Sequence, residues 1–297
     1  MLHDMRELRI PIALFVLFSF WPAIPVGALQ SAVRPEIGSQ FLVVMETETR
    51  GTADGSRSSS SSRQTLTERI IERSQDGILV EYDFHSDATD EERARVWQLP
   101  VHVFIDSAGT VSIQNLSELE SRVDPWLEHW DFDRSMCGRW LFTWTAFQID
   151  CDPESAVGYV QPLIVHQYQL FDGSLVAEHG TLEPAHLDSR QRDSGGLSYT
   201  AQFDIDPDVI RRERAMADVI IAEIYGRPPL DIEDSMEERR DEQISGQLSL
   251  TIETDTLGDI LRIERLSETE IRLPDGANEN QWRSQVVTRQ PLASGTD

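Results

Sequence analysis

Alternation constrains this chain more than any other feature. From Ile78 to Phe84, Ile78, Val80, Tyr82 and Phe84 take turns with Leu79, Glu81 and Asp83, the period-two pattern of a strand with one buried face and one mostly wet face. Thr65 to Ser74 precede it across Asp76-Gly77, a dipeptide suited to the primed turns of a β-hairpin. The device recurs where Val101 to Asp106 and Thr110 to Gln114 flank Ser107-Ala108-Gly109. Further strands are expected at Gln40–Thr49, Ile164–Phe171, Leu175–Leu182, Tyr199–Asp206, Leu248–Thr254, Ile260–Leu266 and Trp282–Arg289. Asp172-Gly173 and Leu257-Gly258-Asp259 supply turns among them. Gly51 to Ser62, rich in serine, reads as a loop.

One helix is announced at both ends. Asp206 is a good N-cap, Pro207 sits at the first helical position and Asp208 complements the positive end. Val209, Met216, Ile220 and Ile224 form an apolar stripe, and Gly226 with Pro228 and Pro229 stops the helix. Leu119, Val123 and Leu127 suggest a second helix over Ser117–Trp130, weakened by Pro125. Asp231 to Glu242 reads as a solvated loop or short helix.

Strands that bury one face need a cover, so the expected fold is α+β: curved antiparallel sheet packed against one or two amphipathic helices, with the 207–225 helix as the cover. One domain is expected over 29–297, with 38–130 and 160–290 as candidate sub-sheets. Envelope proteins that carry lipids or lipoproteins wrap sheets over helices in this general way, a likeness of architecture with no shared motif.

The first residues point to export. Arg6 and Arg9 precede an apolar run from Ile10 to Ile24, then Val26-Gly27-Ala28, which predicts a signal peptide over 1–28 cleaved after Ala28. Pro11, Pro22 and Pro25 interrupt the run, which is also shorter than the roughly 20 apolar residues of a spanning helix. The expectation is a periplasmic or secreted chain with no stable membrane span after cleavage. With 52 acidic residues against 26 basic ones, all arginine, the net charge of −26 repels phosphate backbones and argues against nucleic acid as a partner.

Cys137 and Cys151 are the only thiols, and in an exported chain the pair reads as one disulfide. The stretch between them, GRWLFTWTAFQID, contains no evident turn. A continuous helix would hold the two Cα atoms about 21 Å apart and a strand about 46 Å apart, whereas a bridge needs less than about 7 Å. The bridge therefore requires a bend that local sequence does not announce. Length and lack of breakers tilt the stretch toward helix, while a strand would put Trp140, Phe142 and Trp144 on one face.

Chemistry-bearing motifs are absent. There is no nucleophile elbow, phosphate loop, zinc-protease helix or CxxC, no cofactor is indicated, and the reading leans away from an enzyme. Asp204, Asp206 and Asp208 alternate like the start of a calcium loop, but Val209 and Ala215 occupy the positions that require Gly and Glu. Glu178, His179, His186 and Asp188 fit no recognised ligand spacing, so no metal site is assigned. The dense aromatic group is read first as core. Its functional reading is a candidate apolar pocket of Trp126, Trp130, Trp140, Phe142 and Trp144. The leading expectation is an exported non-enzymatic protein that binds an apolar small molecule or an envelope protein. An assembly protein working through a strand edge and a hydrolase without a local signature are the alternatives.

Overall fold

The computed structural model describes residues 36–53, 55–142, 146–168 and 170–292. The leader expected over 1–28 and Trp144 lie outside the described residues. The described residues begin with strands β1 (Gln40–Ala53), β2 (Ser56–Arg73) and β3 (Gly77–Phe84), then helix α1 (Asp90–Ala94), strands β4 (Val101–Asp106) and β5 (Val111–Ile113), and helix α2 (Leu116–His129). Short pieces follow: β6 (Trp140–Phe142), β7 (Ala146–Gln148), α3 (Ala156–Val160), β8 (Leu175–Val176), β9 (Ala185–His186) and β10 (Asp188–Gln191). Strand β11 (Leu197–Asp204), helices α4 (Pro207–Ile224) and α5 (Ile232–Glu238), and strands β12 (Gln243–Thr254), β13 (Ile260–Arg272) and β14 (Asn278–Pro291) complete it.

Ten strands form one antiparallel sheet in the order β10-β11-β12-β13-β14-β1-β2-β3-β4-β5. The pairing of β1 with β14 joins the 38–130 and 160–290 stretches into that single sheet. The α+β expectation fits broadly: a large curved antiparallel sheet with a few helices.

The inner face follows from alternation. Phe41 and Val43, Leu66 and Ile70, Val80 and Tyr82, Val101 and Val103, Leu250 and Ile252, and Ile263 and Val287 are all buried. Leu119, Val123 and Leu127 of α2 cover one part of it, each at most 1% exposed. Each such side chain contributes roughly 1.5–3 kcal/mol relative to leaving it in water. Ile149, Ala156, Val160, Leu163, Ile164 and Val165 fill the rest of this core.

Four expectations are corrected. Ile164–Phe171 is not a strand, and Leu175–Leu182 is not a continuous one: Leu175 and Val176 pair with His186 and Ala185, and Thr181 bridges Ile205. Ile164, Val165 and Val176 are buried while Phe171, Leu175 and Leu182 are exposed, so these stretches anchor at a few positions and have no continuous buried strand face. Gly51–Ser62 is not a loop: Ser58 to Ser62 pair with Gly51 to Thr47, and Ala53 pairs with Ser56. Serine lacks an apolar signal but does not break a strand, so its run carries no mark of the pairing.

The third correction concerns 137–150, expected as helix, which forms the two-stranded hairpin β6–β7. The fourth is the face of α4. The helix exists, with Asp206 accepting from the Asp208 amide at 2.9 Å and Gly226 at φ 61° beyond its end. Its fully buried residues, however, are Ala215 and Ala222, whereas Met216 is 42% exposed. Charge decides this rotation. Arg214 donates to Glu242 and Glu279, and Asp218 accepts from Arg239 and Ser235, so the strip turned inward is small and ionic. Leu119, Val123 and Leu127 of α2, legible from spacing, join the buried core instead.

Candidate functional site

Cys137 and Cys151 are bonded, with Cα atoms 5.6 Å apart. Trp140 pairs with Gln148 and Leu141 with Phe147. Gly138 donates its amide to Ile149 at 2.7 Å and Ile149 to Arg139 at 2.9 Å. Continuing that register places the two cysteines opposite each other, so the bridge closes the base of the hairpin. This is the bend the bridge required.

The hairpin sorts its aromatics by face. Leu141 packs against the core and Phe147, its cross-strand partner, is 39% exposed. Trp140 and Phe142 share the other face, and Phe142 is 63% exposed. The Trp140 amide donates to Glu223 of α4 at 3.2 Å. Met216, Ile220 and Glu223 lie along one strip of that helix, at helical spacing. Of the remaining pocket candidates, half-buried Trp126 donates its indole N–H to the Arg95 carbonyl at 3.1 Å, and Trp130 at the end of α2 is 40% exposed.

Two ionic clusters lie on the inner face. Glu68 is fully buried. Its Oε1 accepts from Arg289 Nε and Nη2 at 3.0 and 2.8 Å and lies 3.0 Å from His166 Nε2. Its Oε2 accepts from Tyr82 Oη at 3.1 Å. Burial pushes the carboxyl up, but the charges and hydrogen bonds of His166 and Arg289 outweigh it and hold it at about 2. Burial and then the neighbouring Glu68 charge push the Tyr82 hydroxyl well up. In the second cluster Arg265 donates to Glu178 at 3.0 Å and to Tyr168 Oη at 2.5 Å, and Tyr168 donates to Glu178 at 2.6 Å. The members of each cluster satisfy one another, and neither cluster opens on the cavity described next.

Glu178 thus turns to Arg265, while His179 is 89% exposed and His186 lies beside the Gly173 carbonyl. The structure does not bring these three together. Asp206 is spent on capping α4.

A trough of about 810 Å³ crosses the distal ends of β12, β13, β14, β1 and β2. Its lining takes three adjacent ladder rows: the middle one, Ser58, Gly51, Gln281, Thr269, Gly246, shares the face of Val43 and Leu66, and the side chains of the two flanking rows lie on the opposite face. One row runs Arg57, Thr52, Asn280, Glu270, Ser245 and the other Ser59, Arg50, Trp282, Glu268, Gln247. Between them lies Gly246, where an added Cβ would stand 2.3 Å from the Glu268 carbonyl. Arg50 stacks on Trp282 at 4.6 Å and pairs with Glu48. These residues escaped sequence reading because each is an ordinary exposed polar residue, and only register assembles them.

No protein-family model matches the chain, and no curated protein matches it. Among solved structures it is similar to lipovitellin, described for its lipid–protein interactions, at 11% identity and a TM-score of 0.43 over 88% of this chain. The chain spans about a quarter of that protein's length, 26%. A putative uncharacterized protein from Rhizobium leguminosarum matches 47% of this chain and 64% of its own at 11% identity and a TM-score of 0.18. The attachment invasion locus protein Ail of Yersinia pestis matches 86% of this chain and 99% of its own at 8% identity and a TM-score of 0.17. At these scores the likenesses assign neither a family nor an activity to this chain.

Proposed function

We propose that this chain is a non-enzymatic envelope protein that binds an apolar partner, a lipid surface or a lipid-bearing molecule, through the disulfide-braced hairpin. The observation that carries the reading is Phe142, 63% exposed on a hairpin whose base is clamped by Cys137–Cys151. Leaving a Phe side chain in water forgoes roughly 1.5–3 kcal/mol of burial. Two three-residue strands are too short to hold such a display alone, and the bridge supplies the rigidity. In this reading Trp126, Trp130, Trp140 and Phe142 form the apolar surface rather than a closed pocket. A disulfide persists in oxidising compartments, which supports export and an envelope location.

The test is flotation with phosphatidylcholine vesicles, whose zero net charge avoids repulsion by the acidic chain. Wild-type protein is expected to float with the vesicles, and Phe142→Ser to lose about tenfold of that association, the burial of one aromatic side chain. Wild-type protein that stays with the aqueous fraction overturns the reading.

A second reading has its own observation. Ser56 to Arg63 of β2 are exposed, and β3 pairs with β2 only from Leu66 onward. This is an open strand edge of the kind that accepts a partner strand. Cross-linking in cells separates the two readings, since an assembly protein is captured with a protein and a carrier with lipid.

A further inference from the structure

Charge accounting in the trough leaves three side chains over. Arg50 is already occupied by Glu48 and Trp282. Arg57, Glu268 and Glu270 are exposed and make no ion pair among the described residues. Arg57 stands on β2 at one end of the trough and the two glutamates on β13, one strand short of β12 at the other end. In one ladder row Arg57 faces Thr52, Thr52 faces Asn280 and Asn280 faces Glu270. Three strand spacings therefore separate the free cation from the free anions, about 14 Å. The floor between them is hydrogen-bonding, with Asn280 Nδ2 donating to Thr52 Oγ1 at 3.4 Å.

A ligand that matches this pattern carries a positive end and a negative end about 14 Å apart, with amide or hydroxyl groups between. An extended peptide advances about 3.3 Å per residue, so a free peptide of about four residues spans that distance. The trough's volume suits a ligand of that size. Net charge points the same way. A chain at −26 repels an anionic ligand, whereas a zwitterion approaches without a net penalty and is oriented by the local dipole.

We propose that the trough binds short unblocked peptides across the strands, with the free ammonium at Glu268 and Glu270 and the free carboxylate at Arg57. The three charged side chains lie on the face opposite Val43 and Leu66 and belong to no part of the hairpin. Side chains of the peptide point away from a floor that offers no deep pockets, so recognition is of the two ends and their separation.

Calorimetry on the full chain with tetra-alanine tests this. The wild type is expected to bind it, with a loss of about fourfold on N-acetylation and again on C-amidation, the scale of an exposed ion pair. Tetra-alanine is expected to outbind both di-alanine and octa-alanine. Arg57→Gln is expected to abolish discrimination against the amidated peptide while keeping discrimination against the acetylated one, and Glu268→Gln with Glu270→Gln the reverse. Affinity should fall above about pH 8 as the peptide ammonium deprotonates, and this fall should vanish in the double glutamine variant. Absence of tetra-alanine binding, or equal affinity for free and blocked peptides, overturns the proposal. Both of those arms use wild-type protein and so do not depend on how any variant folds.

Discussion

Arg289 reaches across β1 to Glu68: from β14 it passes over the Phe41 ring, its guanidinium carbon 3.3 Å from the ring centroid, and donates twice to one carboxylate oxygen on β2. The partners are 221 residues apart and almost wholly buried, at 3% and 0% exposure. A buried pair of this kind is costly to break, because the surviving charge is left without solvent.

Glu68→Gln is therefore expected to destabilise the protein at pH 7 by about 3–5 kcal/mol, measured by denaturant unfolding. The pH dependence has a defined sign. The folded carboxyl lies at about 2, below its ordinary 4.5, so its stabilisation is complete above pH 4.5 and is lost as pH falls toward 2. Glu68→Gln should remove that share of the acid sensitivity. A variant with an unchanged slope of stability against pH between 4.5 and 2 would contradict this account.

The Cys137–Cys151 bridge closes a separation of 14 residues. Loop-closure entropy for a loop of that size corresponds to about 3 kcal/mol. Replacing both cysteines by serine is expected to lower stability by that order and to open the hairpin to proteolysis before the sheet unfolds. Mass analysis under reducing and non-reducing conditions reports the bond itself, and two free thiols in the oxidised protein would remove it.

The rotation of α4 makes opposite predictions for adjacent residues. Ala215→Leu forces a larger side chain into a fully buried position and should cost about 1–3 kcal/mol. Met216→Ala, on the exposed side, should change stability by less than about 0.5 kcal/mol. Thermal unfolding of the two variants orders them, and the reverse order would mean that the Met216 stripe is the packed one.

Phe142→Ser should leave folding stability within about 0.5 kcal/mol, since the ring is largely in water already. Its loss of vesicle association is then a loss of contact rather than of structure. A large drop in unfolding midpoint would show instead that the ring is part of the core.

What the amino-acid sequence determined by itself is local. The alternation of Ile78 to Phe84, the Asp206 cap with Pro207, the Gly226 stop and the Leu119-Val123-Leu127 spacing each act within a turn or two of chain, and each element stands where they place it. The two cysteines and the aromatic stretch were visible as residues, but their geometry was not. Tertiary structure alone decided that 137–151 folds back on itself, that Ser58 to Ser62 sit in a strand, that α4 turns alanines inward, and that Glu68 carries its charge inside the core. The reason is common to all four. Each depends on neighbours supplied by strand register or by a distant ion partner, and the energies of those contacts are comparable to local preferences and leave no periodic mark on the residues that make them.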